Sequence, residues 1–156
     1  MKLVKLTLIL TLMSCSLQIY ADVIDEVKLL QSEWAKVNYS LSGDKQESAF
    51  ELLVSQADNL VAQNPNSAEV LIWSGIIKSS YAGAKGGLGA LSLAKASKAE
   101  LEKALSLNAQ ALSGSAYTSL GTLYFKVPSW PLGFGDDDKA KELLEMALEV
   151  NPDGID

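Results

Sequence analysis

The chain repeats its own helix ends. Leu60-Val61-Ala62-Gln63-Asn64-Pro65 is echoed by Ala104-Leu105-Ser106-Leu107-Asn108-Ala109, and again by Ala147-Leu148-Glu149-Val150-Asn151-Pro152. The asparagines fall 44 and then 43 residues apart. A period of that length accommodates two helices and a turn. One such unit cannot bury its apolar face alone, so neighbouring units must stack, and the expected fold is an all-α solenoid.

The pattern between the repeated ends agrees. Val23, Val27, Leu30, Trp34, Val37 and Leu41 step by three and four residues, which sets them on one face of a helix. Ser42-Gly43 ends that segment, and Asp44 with Glu47 reads as a capping box opening the next. The second face is Phe50, Leu53, Val54, Ala57, Leu60 and Val61, stopped by Pro65. Asn66 with Glu69 reads as another box, ahead of Ala68, Leu71, Ile72, Gly75 and Ile76. Gly83 to Gly89 is glycine-rich enough to predict a loop, with helix resuming near Leu91 and running to Asn108. A fifth helix is expected over Ser115 to Phe125, then a loop over Val127 to Gly135 with two prolines and two glycines. Asp136 to Asp138 open a sixth helix. The units so defined are 22–65, 66–109 and 113–152.

Period alone would suit HEAT-like pairs of roughly 40–47 residues, but the residue spacing favours another repeat. Tyr117, Leu120, Gly121 and Tyr124 fit the W-x-x-L-G-x-x-Y pattern of a first tetratricopeptide (TPR) helix, and Ala140, Leu144, Ala147 and Pro152 fit the second. The last unit therefore resembles a TPR, lengthened between Gly121 and Ala140 by the Val127–Gly135 loop. The middle unit keeps Gly75 but has Ser74 and Lys78 where the pattern has Leu and Tyr. The segments Ser79–Leu91, Ser115–Tyr124 and Trp130–Asp137 resemble a group of small exported bacterial TPR proteins, across residues 22–156. The resemblance implies a solenoid of antiparallel helix pairs with extended loops inside the repeats, and protein binding in place of catalysis. It also implies a further helix pair beyond Asp156, which would cover an edge at Leu143, Leu144, Ala147 or Leu148. With that edge open, this form, once processed, is expected to self-associate or to be less stable than one extended by a further helix pair.

Residues 1–21 read as a secretory signal. Lys2 and Lys5 are followed by the apolar run Leu6 to Met13 and a small residue, Ala21, at a plausible cleavage point. Thr7, Thr11, Ser14, Ser16 and Gln18 interrupt the run, which falls short of the roughly 20 apolar residues of a membrane span. Leu12-Met13-Ser14-Cys15 resembles a lipobox, so a lipoprotein anchored through Cys15 is the alternative. Met13 fits that motif poorly, and Ser16 to Tyr20 make a poor tether, which favours cleavage after Ala21 and a periplasmic chain with no span left. Intact-mass analysis of protein recovered from a bacterial periplasm is expected to give a chain beginning at Asp22. A diacylglycerol adduct at Cys15 would decide for the anchored form, and an unprocessed chain against export.

Composition narrows function further. The chain has 13 basic residues, 19 acidic ones and a net charge of −6, with no arginine and no histidine. Nucleic-acid recognition leans on basic patches and forked guanidinium contacts, so it is not expected. Without His, and without Cys once Cys15 is removed, the Ser-His-Asp, Cys-His and zinc-His chemistries and thiolate metal sites are closed, which removes the commonest tools of catalysis. Gly83–Gly89 lacks the G-K-[ST] of a phosphate loop and follows a helix. Asp136-Asp137-Asp138 lacks the alternating spacing of a calcium loop. Glu142, Glu145 and Glu149 share one helix face with Lys139 and Lys141, unlike carboxylates opposed across a sugar cleft. No cofactor or metal is expected.

The leading expectation is a non-catalytic adaptor that binds an unidentified protein or peptide on its inner surface. By the resemblance, that surface takes in Glu69, Ile72, Ser79, Thr118, Thr122, Phe125 and Lys126. Trp130 and Phe134 are the candidate loop surface. A small-ligand accessory protein of a transport system, with a pocket of Trp130, Phe134 and the glycine segment, is the alternative. A carboxylate-dependent hydrolase ranks last.

Overall fold

The computed structural model describes residues 23–154. Residues 1–22, with the expected leader and Cys15, and the last two residues lie outside the described residues. The protein is all-α. Helix α1 occupies residues 23–40, followed by α2 (Gly43–Gln63), α3 (Ala68–Lys85), α4 (Gly87–Leu107), a 3-10 turn at Ala111–Gly114, α5 (Ser115–Lys126) and α6 (Asp137–Val150). Among the described residues there is no strand, the one bridge being Ser129 with Gly135. None of their helices is long and apolar enough to cross a membrane.

The repeated asparagines mark one repeated local structure. Each caps its helix by donating its backbone N–H to the carbonyl four residues back, at 2.9 Å for Asn64, Asn108 and Asn151 alike. Each then accepts from the N–H three residues on, from Ser67 at 3.1 Å, Ala111 at 3.2 Å and Gly154 at 3.2 Å. The orphan carbonyl at each helix end is satisfied, and the chain turns the same way three times.

Two apolar clusters form the core. One joins Val27, Leu30 and Val37 of α1 to Phe50, Leu53, Ala57 and Leu60 of α2, and to Val70, Ile77 and Tyr81 of α3. The other joins Leu71 and Ile72 of α3 to Leu101 and Ala104 of α4, Leu120 and Leu123 of α5, and Leu143 of α6. Helix α3 belongs to both and is buried on two sides, which a single amphipathic stripe does not anticipate. Even Ser74 and Lys78 are buried there.

Paired helices meet through glycine. A Cβ on Gly75 would lie 2.8 Å from Leu101 Cγ, and one on Gly121 would lie 2.9 Å from Leu144 Cγ. Leu101 and Leu144 each stand seven residues before their turn asparagine. The close approach of α3 to α4 therefore recurs, at equivalent positions, between α5 and α6.

Three sequence expectations need correction. The glycine segment is not a loop, because α3 runs through Gly83 to Lys85 and α4 starts at Gly87, with Gly86 alone between them. Gly86 and Gly87 have φ of 64° and 60°, the left-handed region that glycine enters without a Cβ clash. Two residues thus reverse the chain where a long insertion was expected. The Asp44–Glu47 box does not form either. Ser42 precedes α2 with no side-chain cap, Glu47 pairs with Lys85 at 3.2 Å, and Gln46 Nε2 donates to the Val37 and Asn38 carbonyls at the end of α1. Hydrogen bonds that Lys85 Nζ donates to Tyr81 Oη and to the Glu47 carboxylate hold its ammonium above its ordinary pKa. The second cap is shifted by one residue: Ser67 accepts from Val70 N at 3.4 Å and donates to Glu69 at 2.9 Å, leaving Asn66 in the turn.

Candidate binding surface

The first helices of the second and third pairs, α3 and α5, place short hydroxyl side chains opposite one another. Ser79, Ser80, Thr118, Ser119 and Thr122 line a shallow furrow of about 310 Å³, with Ile76, Leu123 and Lys126 completing it. Ser79 Oγ donates to the Ile76 carbonyl at 2.9 Å. Ser80 Oγ accepts from Trp34 Nε1 at 2.8 Å, which ties α1 to this wall. Thr118, Thr122 and Lys126 are exposed. The furrow so brings together Ser79, Thr118, Thr122 and Lys126 from the sequence expectation. Phe125 is exposed beside it, its ring centre 5.4 Å from Lys126 Nζ.

Two expected members stand elsewhere. Ile72 has no exposed surface and lies in the core shared by α3, α4 and α5. Its place on the third helix faces the interior because α3 is covered on both sides. Glu69 is half-buried and bonded to Ser67 at the start of α3, and it does not line the furrow.

At Ile76, Thr118 and Ser119 the furrow opens into an apolar groove of about 620 Å³. Its walls include Trp34, Trp73, Leu112, Leu144 and Leu148. Trp34 and Trp73 meet edge to face with ring centres 5.7 Å apart. Leu144 is 37% exposed, whereas its equivalents Ala57 and Leu101 are 0% exposed. Of the four residues expected along the α6 edge, Leu144 and Leu148 are open, and Leu143 and Ala147 are buried. Leu112 and Ser113 border the groove in the left-handed region, with φ of 48° and 55°, a conformation that costs of order 1 kcal/mol per residue for side chains with a Cβ.

The Val127–Gly135 loop has definite structure. Phe134 is half-buried and packs edge to face on Tyr124, ring centres 5.5 Å apart. Lys98 Nζ sits over both rings, 5.6 and 5.8 Å from their centres. Partial burial lowers the Lys98 pKa, but hydrogen bonds to Glu102 and Tyr124 outweigh it and hold the ammonium above its ordinary value. Gly133 and Gly135 press on the Pro128 and Val127 carbonyls, where no Cβ would fit. Trp130 points away from this base and is 86% exposed. The two residues expected to act together are thus separated, Phe134 as the anchor and Trp130 as an exposed tip.

The aspartate run begins α6. Asp136 accepts from Lys139 N at 3.0 Å, and Asp137 and Asp138 fill the first turn, where carboxylates favour the positive end of the helix dipole. Among the described residues no three His, Cys, Asp or Glu side chains converge to hold a metal. No protein-family model matches the sequence, and no curated protein matches it.

Proposed function

We propose that this chain is an exported, TPR-like solenoid that binds a protein segment in extended form along the furrow between α3 and α5, and catalyses no reaction. The observation that carries this reading is the furrow itself. It gathers four expected contact residues from two helices about 40 residues apart in sequence into one open, hydroxyl-lined channel. A peptide in extended form brings N–H and C=O groups that need partners when they leave water. Ser and Thr hydroxyls donate and accept alike, so a row of them serves a backbone whatever its side chains. The adjoining groove with Trp34 and Trp73 offers a place for an apolar side chain of the same segment.

The repeated asparagine turn and the equivalent glycine contacts support the TPR-like arrangement. The leader at residues 1–21 supports export to the periplasm. The absence of His, with Cys15 inside that leader, supports binding without chemistry.

Selection of a random peptide display library on the immobilised chain tests the reading. Thr118→Trp and Thr122→Trp fill the furrow from exposed positions, so helical content should be unchanged. Selected peptides are expected to bind either variant about tenfold more weakly or worse, a loss of roughly 1.4 kcal/mol. Wild-type affinity in both variants would move the site out of the furrow.

A further inference from the structure

A second cavity, of about 560 Å³, opens on the other side of Ser79 and Lys126. It lies where the end of α3, the start of α4, the end of α5 and the long loop meet. Its walls are aliphatic, built from Ala82, Leu91, Ala94, Leu123, Val127 and Leu132. Small-molecule sites of about 300–1,000 Å³ have this character, a mostly apolar wall with few polar groups. The polar side chains at its rim are Ser79, whose hydroxyl is already engaged with the Ile76 carbonyl, and Lys126.

Gly83 also lines the cavity. It sits inside α3, where glycine is the poorest choice short of proline. Nothing in the fold asks for it. A Cβ built at Gly83 would meet no atom within 4 Å, and its φ is not in the positive range. This contrasts with Gly75 and Gly121, which packing requires, and with Gly86 and Gly87, which the turn requires. Gly83 is exposed at the mouth of the cavity, and a side chain there would project into open space beside it.

We propose that this cavity binds an aliphatic chain carrying a single acidic head group, with the chain laid across Gly83 and the head against Lys126 Nζ. Charge selects the head, since Lys126 is the one charged side chain among the described residues lining the cavity. Shape and polarity select the tail. A peptide backbone would leave its N–H and C=O groups without partners against this wall, whereas an alkyl chain brings none. The cavity shares Ser79, Leu123 and Lys126 with the furrow but opens away from Thr118 and Thr122, and it does not rest on the peptide-binding reading.

Titration calorimetry with decanoate on the chain from Asp22 tests the proposal. Decanoate is expected to bind the wild-type chain, and Gly83→Leu to weaken it by about tenfold or more while leaving the circular dichroism unchanged. Gly83→Ala, a helix-favouring change, is the second variant and should fold at least as well while losing part of the affinity. Lys126→Gln should weaken decanoate up to about fivefold, as for one exposed ion pair, and leave decyltrimethylammonium binding no weaker. Thr118→Trp should bind decanoate normally, which separates this site from the furrow. No heat with decanoate, or full affinity in Gly83→Leu, would overturn the cavity assignment. Equal losses for both head groups in Lys126→Gln would overturn the acidic ligand.

Discussion

Lys78→Met is expected to lower the stability of the chain by about 3 kcal/mol, read as a fall in the urea midpoint at unchanged slope. Lys78 Nζ lies inside the fold, its side chain only 7% exposed. It bridges three helices, pairing with Asp58 of α2 at 2.6 Å and with Glu100 of α4, and donating to Ser74 of α3 at 3.1 Å. Asp58 is 56% exposed and can turn to water if the cation is lost. Glu100 is 16% exposed, and its Oε2 is buried with no hydrogen-bond partner among the described residues. Methionine replaces the aliphatic stem, so little packing is lost, and the cost comes from a carboxylate stranded without its counter-ion. The double variant Lys78→Met with Glu100→Gln removes that charge and should recover most of the loss, because deleting both ions of a buried pair is far milder than deleting one. A single-variant loss below about 1 kcal/mol, the range of a surface pair, would show that Glu100 escapes to solvent.

This cluster marks a boundary of what sequence could tell. Ser74 and Lys78 registered there as departures from the repeat pattern, residues standing where Leu and Tyr were expected. Their positions were legible and their role was not, because Asp58 and Glu100 come from helices 20 and 22 residues away along the chain. No local periodicity links residues that only packing brings together.

The helices themselves were legible wherever one face is buried and the other wet. The stripes of α1 and α2 match the observed core, and the proline-rich loop and the Asp136 cap stand where turn and cap chemistry put them. Reading failed where a residue has two physical meanings. Glycines at 83, 86, 87 and 89 look alike in a sequence, yet two serve a sharp reversal and two sit within helices. A loop over all four would leave no cavity there, whereas Gly83 and Gly87 both line one. Ile72 failed for another reason. Placing it outward assumed that each first helix has an open face there, and α3 is enclosed on that side by α4 and α5. The furrow residues Ser79, Thr118, Thr122 and Lys126 came from the resemblance, which assigns that surface to non-consensus positions of each first helix, and Thr118 and Thr122 stand one helical turn apart.

Gly75→Leu should destabilise the fold by about 3 kcal/mol, the upper part of the range for overpacking, and Gly121→Leu by nearer 1 kcal/mol. The two glycines occupy equivalent places, so the difference has to come from what surrounds them. At Gly75 the new Cβ would lie 2.8 and 3.0 Å from Leu101 Cγ and Cδ2 and 3.4 Å from the Ser97 carbonyl oxygen. Leu101 is 0% exposed, held by α5, and Ser97 Oγ donates to the Gly75 carbonyl at 2.7 Å, so neither can withdraw without opening the α3–α4 seam. At Gly121 the clash is with Leu144, 2.9 Å away, and with the Ala140 carbonyl oxygen at 3.1 Å. Leu144 is 37% exposed along the groove and can swing outward, leaving the backbone contact as the main obstacle. Urea melts of the two variants beside wild type measure the difference directly. Equal losses would mean that Leu144 is held as firmly as Leu101, as it would be if the α6 edge were covered by a second copy in solution. Repeating the melts over a range of protein concentration separates that case, since a covered edge makes the stability rise with concentration.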